Sequence, residues 1–457
     1  MKKQTYIFHF RGLKHGKSQY GFSLIELMIS ITLGMIVVAA VLTLFLNITR
    51  NNSEMAKTNN QVESARFAIQ LIQNDLIHAG FWGSHVPQFD DLTFSVTPAD
   101  VPAAVPDPCS AYALWDAAYK NQVIGIPIQA YGDTPPSGTG CVTNFATNKK
   151  ASTDVLVVRH AETCLPGVGN CEANNSNKLY FQSPLCELEF SAPVQAATSA
   201  SITLHPTASA TDNFYQNSYV SIISGTGIGQ TRLITAYDGA TKIATVSDWT
   251  IIPDITSKYT FGSGYVLAKS GHTFHKKDCT TLADKRKFIS NIYYIRDYAA
   301  TAGDGIPTLM RASFDANGET LAHQTAQPLI EGIEGFSIRL GVDSLSKTGA
   351  AITPTAPIIW VDATTKTSPT NRGDGVAEGD FIACTDAIPC NVAQLMNVVA
   401  VKVYVLARAK ETSPGYIDTK TYTLGSTSLG PFNDGFKRHV FSTTVRLINV
   451  SGRRETP

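Results

Sequence analysis

The chain has 457 residues, enough for more than one domain, and its 37 basic residues balance 37 acidic ones. That balance excludes a bulk electrostatic nucleic-acid binder. Only 16% of residues are charged, and Thr, Ser, Ala and Gly are plentiful, which points to a β-rich extracytoplasmic protein rather than a cytosolic enzyme.

Residues 1–21 carry Lys2, Lys3, Arg11, Lys14 and Lys17 and no acidic residue. A flank of this kind stays cytoplasmic. From Phe22 to Leu46 runs an apolar stretch without proline, long enough to span a bilayer as a helix. Glu26 is its one charged residue. An ordinary secretory signal has a small-residue cleavage site after its apolar core. Here none follows, and the natural cut lies between Gly21 and Phe22, ahead of the helix. The helix would then stay on the mature chain, which leans slightly acidic once the leader is gone. A carboxylate in a membrane helix costs roughly 2.5–3.5 kcal/mol on insertion scales, so Glu26 calls for a cationic partner.

The stretch GFSLIELMISITLGMIVVAAVL (21–42) resembles the class III signal of type IV prepilins and pseudopilins. The resemblance implies that a prepilin peptidase cuts after Gly21 and methylates the new N-terminal Phe22. It also implies that Glu26 faces the N-terminal ammonium of a neighbouring subunit during assembly.

Past Leu46 the helical pattern continues. Val62, Ala65, Ile69, Ile72 and Leu76 recur at spacings of three and four and make one apolar stripe. Glu63, Arg66, Gln70, Gln73 and Asn74 fall on the wet face, and Gly80 and Gly83 break the pattern. A helix from Phe22 to about Ala79 would be roughly 87 Å long at 1.5 Å per residue. Its first half suits lipid or a filament core, and its second half packs under a globular head.

Residues 84–150 read as loops with little regular structure, and 154–161 (DVLVVRHA) as a strand near the core. Residues 162–186 form a cysteine-rich loop. Five short strands separated by Gly, Asp and Pro turns mark 201–267 as a separate β unit. Part of it resembles small β modules of phage tail and other extracellular proteins, which implies no activity. From 288 on the strands are strong. Tyr293, Ile295, Phe336, Ile338, Val401, Val403, Val405, Val445 and Leu447 alternate into the core of an antiparallel set laid on the second half of the long helix. Residues 344–390 interrupt it with a Thr/Pro/Gly-rich insertion.

Eight cysteines lie beyond the apolar helix: Cys109, Cys141, Cys164, Cys171, Cys186, Cys279, Cys384 and Cys390. An even number there suits disulfides in an oxidising compartment, and no C-x-x-C occurs. Cys164 with Cys171 and Cys384 with Cys390 could each close a short loop; the other pairings stay open.

The stretches LIQNDLIHAGFWG, NIYYIRD, LIEGIEGFSIRLGVD, VVAVKVYVLARA and FSTTVRLIN together resemble the PilW-type minor pilins, in that family's order. Ser84 departs from the cysteine frequent there in relatives. The resemblance implies an α+β, type IV pilin-like fold: a long N-terminal helix, transmembrane then amphipathic, packed on an antiparallel β-sheet head with a large β-rich insertion. The expected organisation is a leader 1–21, a helix 22–80 (membrane part 22–46), a loop-rich head region 81–200, the module 201–267 and a C-terminal β head 286–457. The resemblance further implies a minor pilin that initiates pilus assembly and joins the tip complex, supporting twitching motility, adhesion or DNA uptake. Its expected partners are the prepilin peptidase, the major pilin, other minor pilins and a large tip adhesin, with the chain in the inner membrane and later at the pilus tip. The alternatives are a J-type pseudopilin of type II secretion and a membrane-anchored extracellular ligand-binding module. The last would need exposed aromatics at Tyr215, Trp249 and Tyr259, which read first as core.

No catalytic motif is found, and no cofactor, metal or nucleic-acid partner is expected. His272 and His275 form H-x-x-H without a third ligand nearby. Asp374, Glu378 and Asp380 offer oxygens to Ca²⁺, but their order differs from an EF-hand loop, and the reading is a solvated acidic loop. Arg372-Gly373-Asp374 matches an integrin-binding tripeptide too short to support a claim. The GTGIGQ stretch (225–230) lacks the last glycine of a dinucleotide fingerprint.

Overall fold

The computed structural model describes residues 21, 23–94, 96–134, 148–216, 218–261 and 264–455. They fall into two compact units, one ending at Ala56 and one running from Lys57 onward. A single 55-residue helix, α1 (Leu24–His78), contributes to both.

In the first unit α1 is uncovered. Its large apolar side chains from Leu24 to Ile48 are all exposed. Ser30, Thr32, Thr43 and Thr49 each donate a hydroxyl to the carbonyl four residues earlier. Those hydroxyls therefore need no outside partner, as a helix in lipid requires. The segment is long and apolar enough to cross a membrane.

In the second unit α1 buries Gln61, Ala65, Ala68, Ile72 and Leu76. This corrects the expected stripe, since Val62 and Ile69 lie half-buried on its flanks. The close approach of sheet to helix favours the small Ala65 and Ala68 at the centre. Gln61 is tolerated because its amide donates to the carbonyls of Ala407 (2.6 Å) and Lys437 (3.2 Å). Burying Ile72 and Leu76 stabilises the packing by roughly 1.5–3 kcal/mol each. Gly80 ends the helix at φ +72°, its N–H bonded to the Arg159 carbonyl. A Cβ there would sit 2.9 Å from Val450.

The described residues of 84–150 hold more regular structure than expected. Helix α2 (Ala117–Gly125) is capped by Asp116, whose side chain accepts the Tyr119 N–H at 2.7 Å. Strand β1 (Ile128–Tyr131) follows directly and pairs with β2 (Val155–Ala161), while β3 is Tyr180–Gln182. Short apolar runs flanked by prolines hid both α2 and β1 from pattern reading.

The inserted strands are β4 (Ser191–Pro193), β5 (Ala196–Thr198), β6 (Ser201–Thr203), β7 (Tyr219–Ser224), β8 (Thr231–Asp238), β9 (Ile243–Val246) and β10 (Lys258–Phe261). They form one seven-stranded sheet, ordered β4-β10-β7-β8-β9-β6-β5. Its core is its own, with Ile202, Val220, Ile222, Ile234, Trp249 and Tyr259 among its residues. The module thus spans 191–261 rather than 201–267. Strand β11 (Val266–Ala268) belongs instead to the root, where it pairs with β3, so both ends of the insertion meet on adjacent strands.

The remaining strands are β12 (Lys285–Arg296), β13 (Thr308–Asn317), β14 (Thr320–His323), β15 (Gln327–Glu331), β16 (Ile333–Val342), β17 (Trp360–Asp362), β18 (Thr367–Pro369), β19 (Val398–Arg408), β20 (Tyr422–Leu424), β21 (Thr427–Leu429) and β22 (Arg438–Arg446). They do not make the single sheet expected for 286–457. β12 and β13 extend an eight-stranded antiparallel sheet that begins with β1 and β2, from before the insertion. β16, β19 and β22 make a separate three-stranded sheet. One core joins the two sheets to α1, from Ala65 and Ile72 through Leu156, Tyr293 and Phe336 to Val403 and Val445.

Candidate assembly interface

Ser23 opens α1. Its carbonyl accepts the Leu27 N–H (3.1 Å), and its own N–H donates to Glu26 Oε2 at 3.0 Å. This is one half of the capping box that Ser23-x-x-Glu26 spells out, a signal present in the sequence and unused in the expectation above. Glu26 is thereby held at the first turn, where a negative charge is favoured. Its other carboxylate oxygen accepts no hydrogen bond among the described residues. Gly21 is exposed, with nothing within 4 Å of where a Cβ would stand. Phe22 and residues 1–20 lie outside the described residues.

In the packed stretch of α1, Asp75 fastens the helix to the eight-stranded sheet. Its carboxylate meets His160 Nε2 (2.9 Å) and accepts Asn291 Nδ2 (3.0 Å) and Tyr293 OH (2.9 Å). Pattern reading missed this residue, because one acid on a polar flank looks like solvated surface. Beside the helix runs a groove of about 1230 Å³, lined by Asn60, Glu63, Phe67, Leu329, Glu331 and Lys410.

Cys164 is bonded to Cys171, Cys186 to Cys279 and Cys384 to Cys390. Cys109 is also disulfide-bonded, and Cys141 lies outside the described residues. The Cys186–Cys279 bond closes the root of the inserted module. There Glu189 accepts both the backbone N–H of His275 (2.8 Å) and its Nδ1 (2.7 Å). His272 Nε2 lies against the Tyr180 carbonyl at 3.1 Å, and burial lowers its pKa. The two histidines therefore serve separate contacts. Ser84 bonds Ser183 at 2.8 Å.

The acidic loop gathers Asp374 and Glu378 beside Asp343, not Asp380. These donors are already committed. Asp343 accepts from Arg454 (3.1 Å) and from the Gly375 N–H, and Glu378 accepts from the Ser344 N–H. Burial raises the Asp343 carboxyl to about 6 against the pull of Arg454. Arg372 is buried and donates to the carbonyls of Thr353, Asn371 and Ala356, so the tripeptide it begins does not present its guanidinium. Tyr215, Trp249 and Tyr259 are all core residues of the module.

Residues 16–42 match the Prokaryotic N-terminal methylation motif, and residues 292–449 match the family described as Type IV Pilus-assembly protein W. No curated protein matches. Among solved structures, a type IV-like pilin from Thermus thermophilus is similar at 16% identity and a TM-score of 0.18, covering 36% of this chain and 66% of that one. The two matched segments are the N-terminal part of α1 and the strands β13 to β22 with the end of β12, which hold the packed part of that same helix. The chain thus joins an N-terminal methylation motif to a C-terminal segment similar to the Type IV Pilus-assembly protein W family.

Proposed function

We propose that this chain is a minor pilin that primes type IV pilus assembly and forms part of the tip complex. The observation that carries the reading is Glu26: the one charged group of an uncovered apolar helix, held at its first turn by Ser23 with one oxygen free. In a low-dielectric surrounding such a carboxylate needs a cation, and the new N-terminal ammonium of a neighbouring subunit supplies one. Prepilin peptidase would create that ammonium by cutting between Gly21 and Phe22 and methylating Phe22. The head supports the tip assignment. A helical filament repeats every contact, and a seven-stranded module on each subunit would crowd its neighbours. At a tip one copy suffices. Twitching motility, adhesion and DNA uptake are the activities such a pilus would serve, through other minor pilins and a tip adhesin. The buried state of Tyr215, Trp249 and Tyr259 weighs against a ligand module built on those rings.

The test is Glu26→Leu. The helix becomes more apolar, so the chain should stay in the membrane fraction while its recovery in sheared pili falls at least about tenfold. Mass spectrometry of the native chain should start at methylated Phe22. Normal incorporation of the variant, or immunogold spaced evenly along shafts, would sink the reading.

A further inference from the structure

Between helix α2, the loop ahead of β7 and strand β11 lies a cleft of about 350 Å³. Small-molecule sites favour such junctions between packed units, and the volume is at the small end of ligand pockets. Three rings wall it: Trp115, Phe214 and Tyr265. Each is set by its own packing. Trp115 stacks on Phe314 with centroids 5.1 Å apart and meets Phe288 edge-on at 5.8 Å. Tyr265 stacks on Phe181 at 5.3 Å, and Phe214 meets Phe274 edge-on at 5.9 Å. Rings held in this way need little further ordering when a ligand arrives.

Three polar side chains of the cleft share one arrangement: one end is fixed within the protein and the other is unused. Asn121 Oδ1 accepts the Tyr265 hydroxyl at 2.9 Å, and its Nδ2 donates to nothing among the described residues. Gln216 Nε2 donates to the Thr235 carbonyl at 2.9 Å, which leaves Oε1. Asp116 Oδ1 accepts the Tyr119 N–H at the cap of α2, which leaves Oδ2. Lys120 is half-buried and lies over the Tyr112 ring at 5.4 Å. Among the described residues its ammonium makes no hydrogen bond or ion pair. Burial lowers its pKa, and Asp116 opposes that shift. The cleft therefore offers two donors, two acceptors and apolar ring surface, with one positive and one negative charge.

We propose that this cleft binds a neutral saccharide ring. A pyranose has apolar C–H faces and a rim of hydroxyls, each of which both donates and accepts. The faces suit the walls of Trp115, Phe214 and Tyr265. The hydroxyls suit a mixed set, donors at Asn121 and Lys120 and acceptors at Asp116 and Gln216. Charge argues the same way. Asp116 and Lys120 cancel, so an ionic ligand gains no net attraction. A purely apolar ligand would leave the four polar groups dehydrated and unpaired. The site stands apart from the module core, where Tyr215, Trp249 and Tyr259 are buried. It requires neither Glu26 nor a filament, so it goes beyond the assembly role.

The test is titration calorimetry of the full chain in a detergent without a sugar headgroup. The probes are glucose, galactose, mannose and N-acetylglucosamine, with glucuronate as the charged comparison. At least one neutral probe should bind one-to-one with a Kd below about 10 mM. Its affinity should fall about tenfold in Gln216→Ala, at an exposed residue, and in Asp116→Asn, which still caps α2. Both variants should unfold at the parent's temperature. A Kd above about 10 mM for all four neutral probes overturns the proposal. Binding that both variants leave unchanged overturns it too, because the ligand then sits elsewhere. Glucuronate bound more tightly than every neutral probe also overturns it, since Lys120 would then act as a lone cation. The chain is titrated outside pili, so failure of the minor-pilin reading would leave the result standing.

Discussion

The inserted module and the pilin head solve the same folding problem with different chemistry. Among the described residues, no ion pair involves 191–261. The module is held by an apolar core and by tyrosine hydroxyls, as where Tyr259 OH accepts the His205 N–H and Tyr237 OH donates to the Ser209 carbonyl. The head is pinned at its seams by buried charges. Arg438 binds Glu334 (2.5 Å), Asp418 (3.0 Å) and Asp434 (2.6 Å), joining the first residues of β22 to β16 and to the 410–436 loop. Arg454 binds Asp90 (2.8 Å) and Asp343 (3.1 Å), joining three segments far apart in the chain. The module is one continuous segment whose strands find each other through short turns. The head assembles strands separated by the whole insertion, and there a charged knot, satisfied in only one arrangement, specifies register. Buried pairs contribute little net stability against an apolar core but are costly to break.

Breaking the Arg438 knot should give the largest effect. Arg438→Ala removes the cation shared by three carboxylates, of which Glu334 keeps Arg408 (3.7 Å) and Lys150 (3.8 Å), and should cost the head about 3–5 kcal/mol. The module should keep its own unfolding transition, followed by tryptophan fluorescence of Trp249. A common shift of both would mean that the two regions unfold as one body. The mirror experiment is Tyr259→Ala. It empties the module core at a fully buried ring and should cost that region about 3–5 kcal/mol, with the head unmoved.

How much of this was legible in the sequence follows the same division. Periodicity and alternation deliver α1, β2, β12, β16, β19 and β22, because each is long and has one face committed to a core. The N-terminal signal is legible because its residues sit at fixed offsets from Gly21. Asp75, Arg438 and Arg454 were not, since a charged residue looks the same whether its partner is water or a carboxylate hundreds of residues away. The module's true start at Ser191 was hidden for a related reason: β4 and β5 have three residues each, too few to show alternation.

The Cys186–Cys279 bond sharpens the comparison, because it sits where the two regions join. It spans 93 residues, and replacing both cysteines with serine should cost about 2–4 kcal/mol. The loss should appear in the module first, since the head is also closed by the β3–β12 and β2–β12 pairs. Equal losses in both transitions would show the root to be part of the head's own cooperative unit.

The gentlest separation is by pH, and it isolates two neighbours in the head. Burial raises the Asp100 carboxyl to about 7, against hydrogen bonds from Gln88 and Phe89. Burial, with Arg453 nearby, lowers His85 to about 3. From pH 3.8 to 7 the folded state holds more protons at Asp100 than the unfolded chain does, so Asp100 makes stability fall as pH rises. From pH 3 to 6.5 the folded state holds fewer at His85, so His85 makes stability rise with pH. The two slopes oppose each other over most of the acidic range. Asp100→Asn removes the first and leaves the second. The difference in head stability between this variant and the parent should then climb with pH from about 3.8 to 7, by at most about 1.4 kcal/mol per unit, and level off above it, since Asp343 and His323 contribute alike to both proteins. Among its described residues the module has no ion pair to lose, and the lowered carboxyls of Asp238 and Asp254 titrate below this window. Its transition should therefore stay flat between pH 4.5 and 7 in both proteins. A module transition that tracks the head across that range would erase the distinction between charge-pinned and apolar-packed regions.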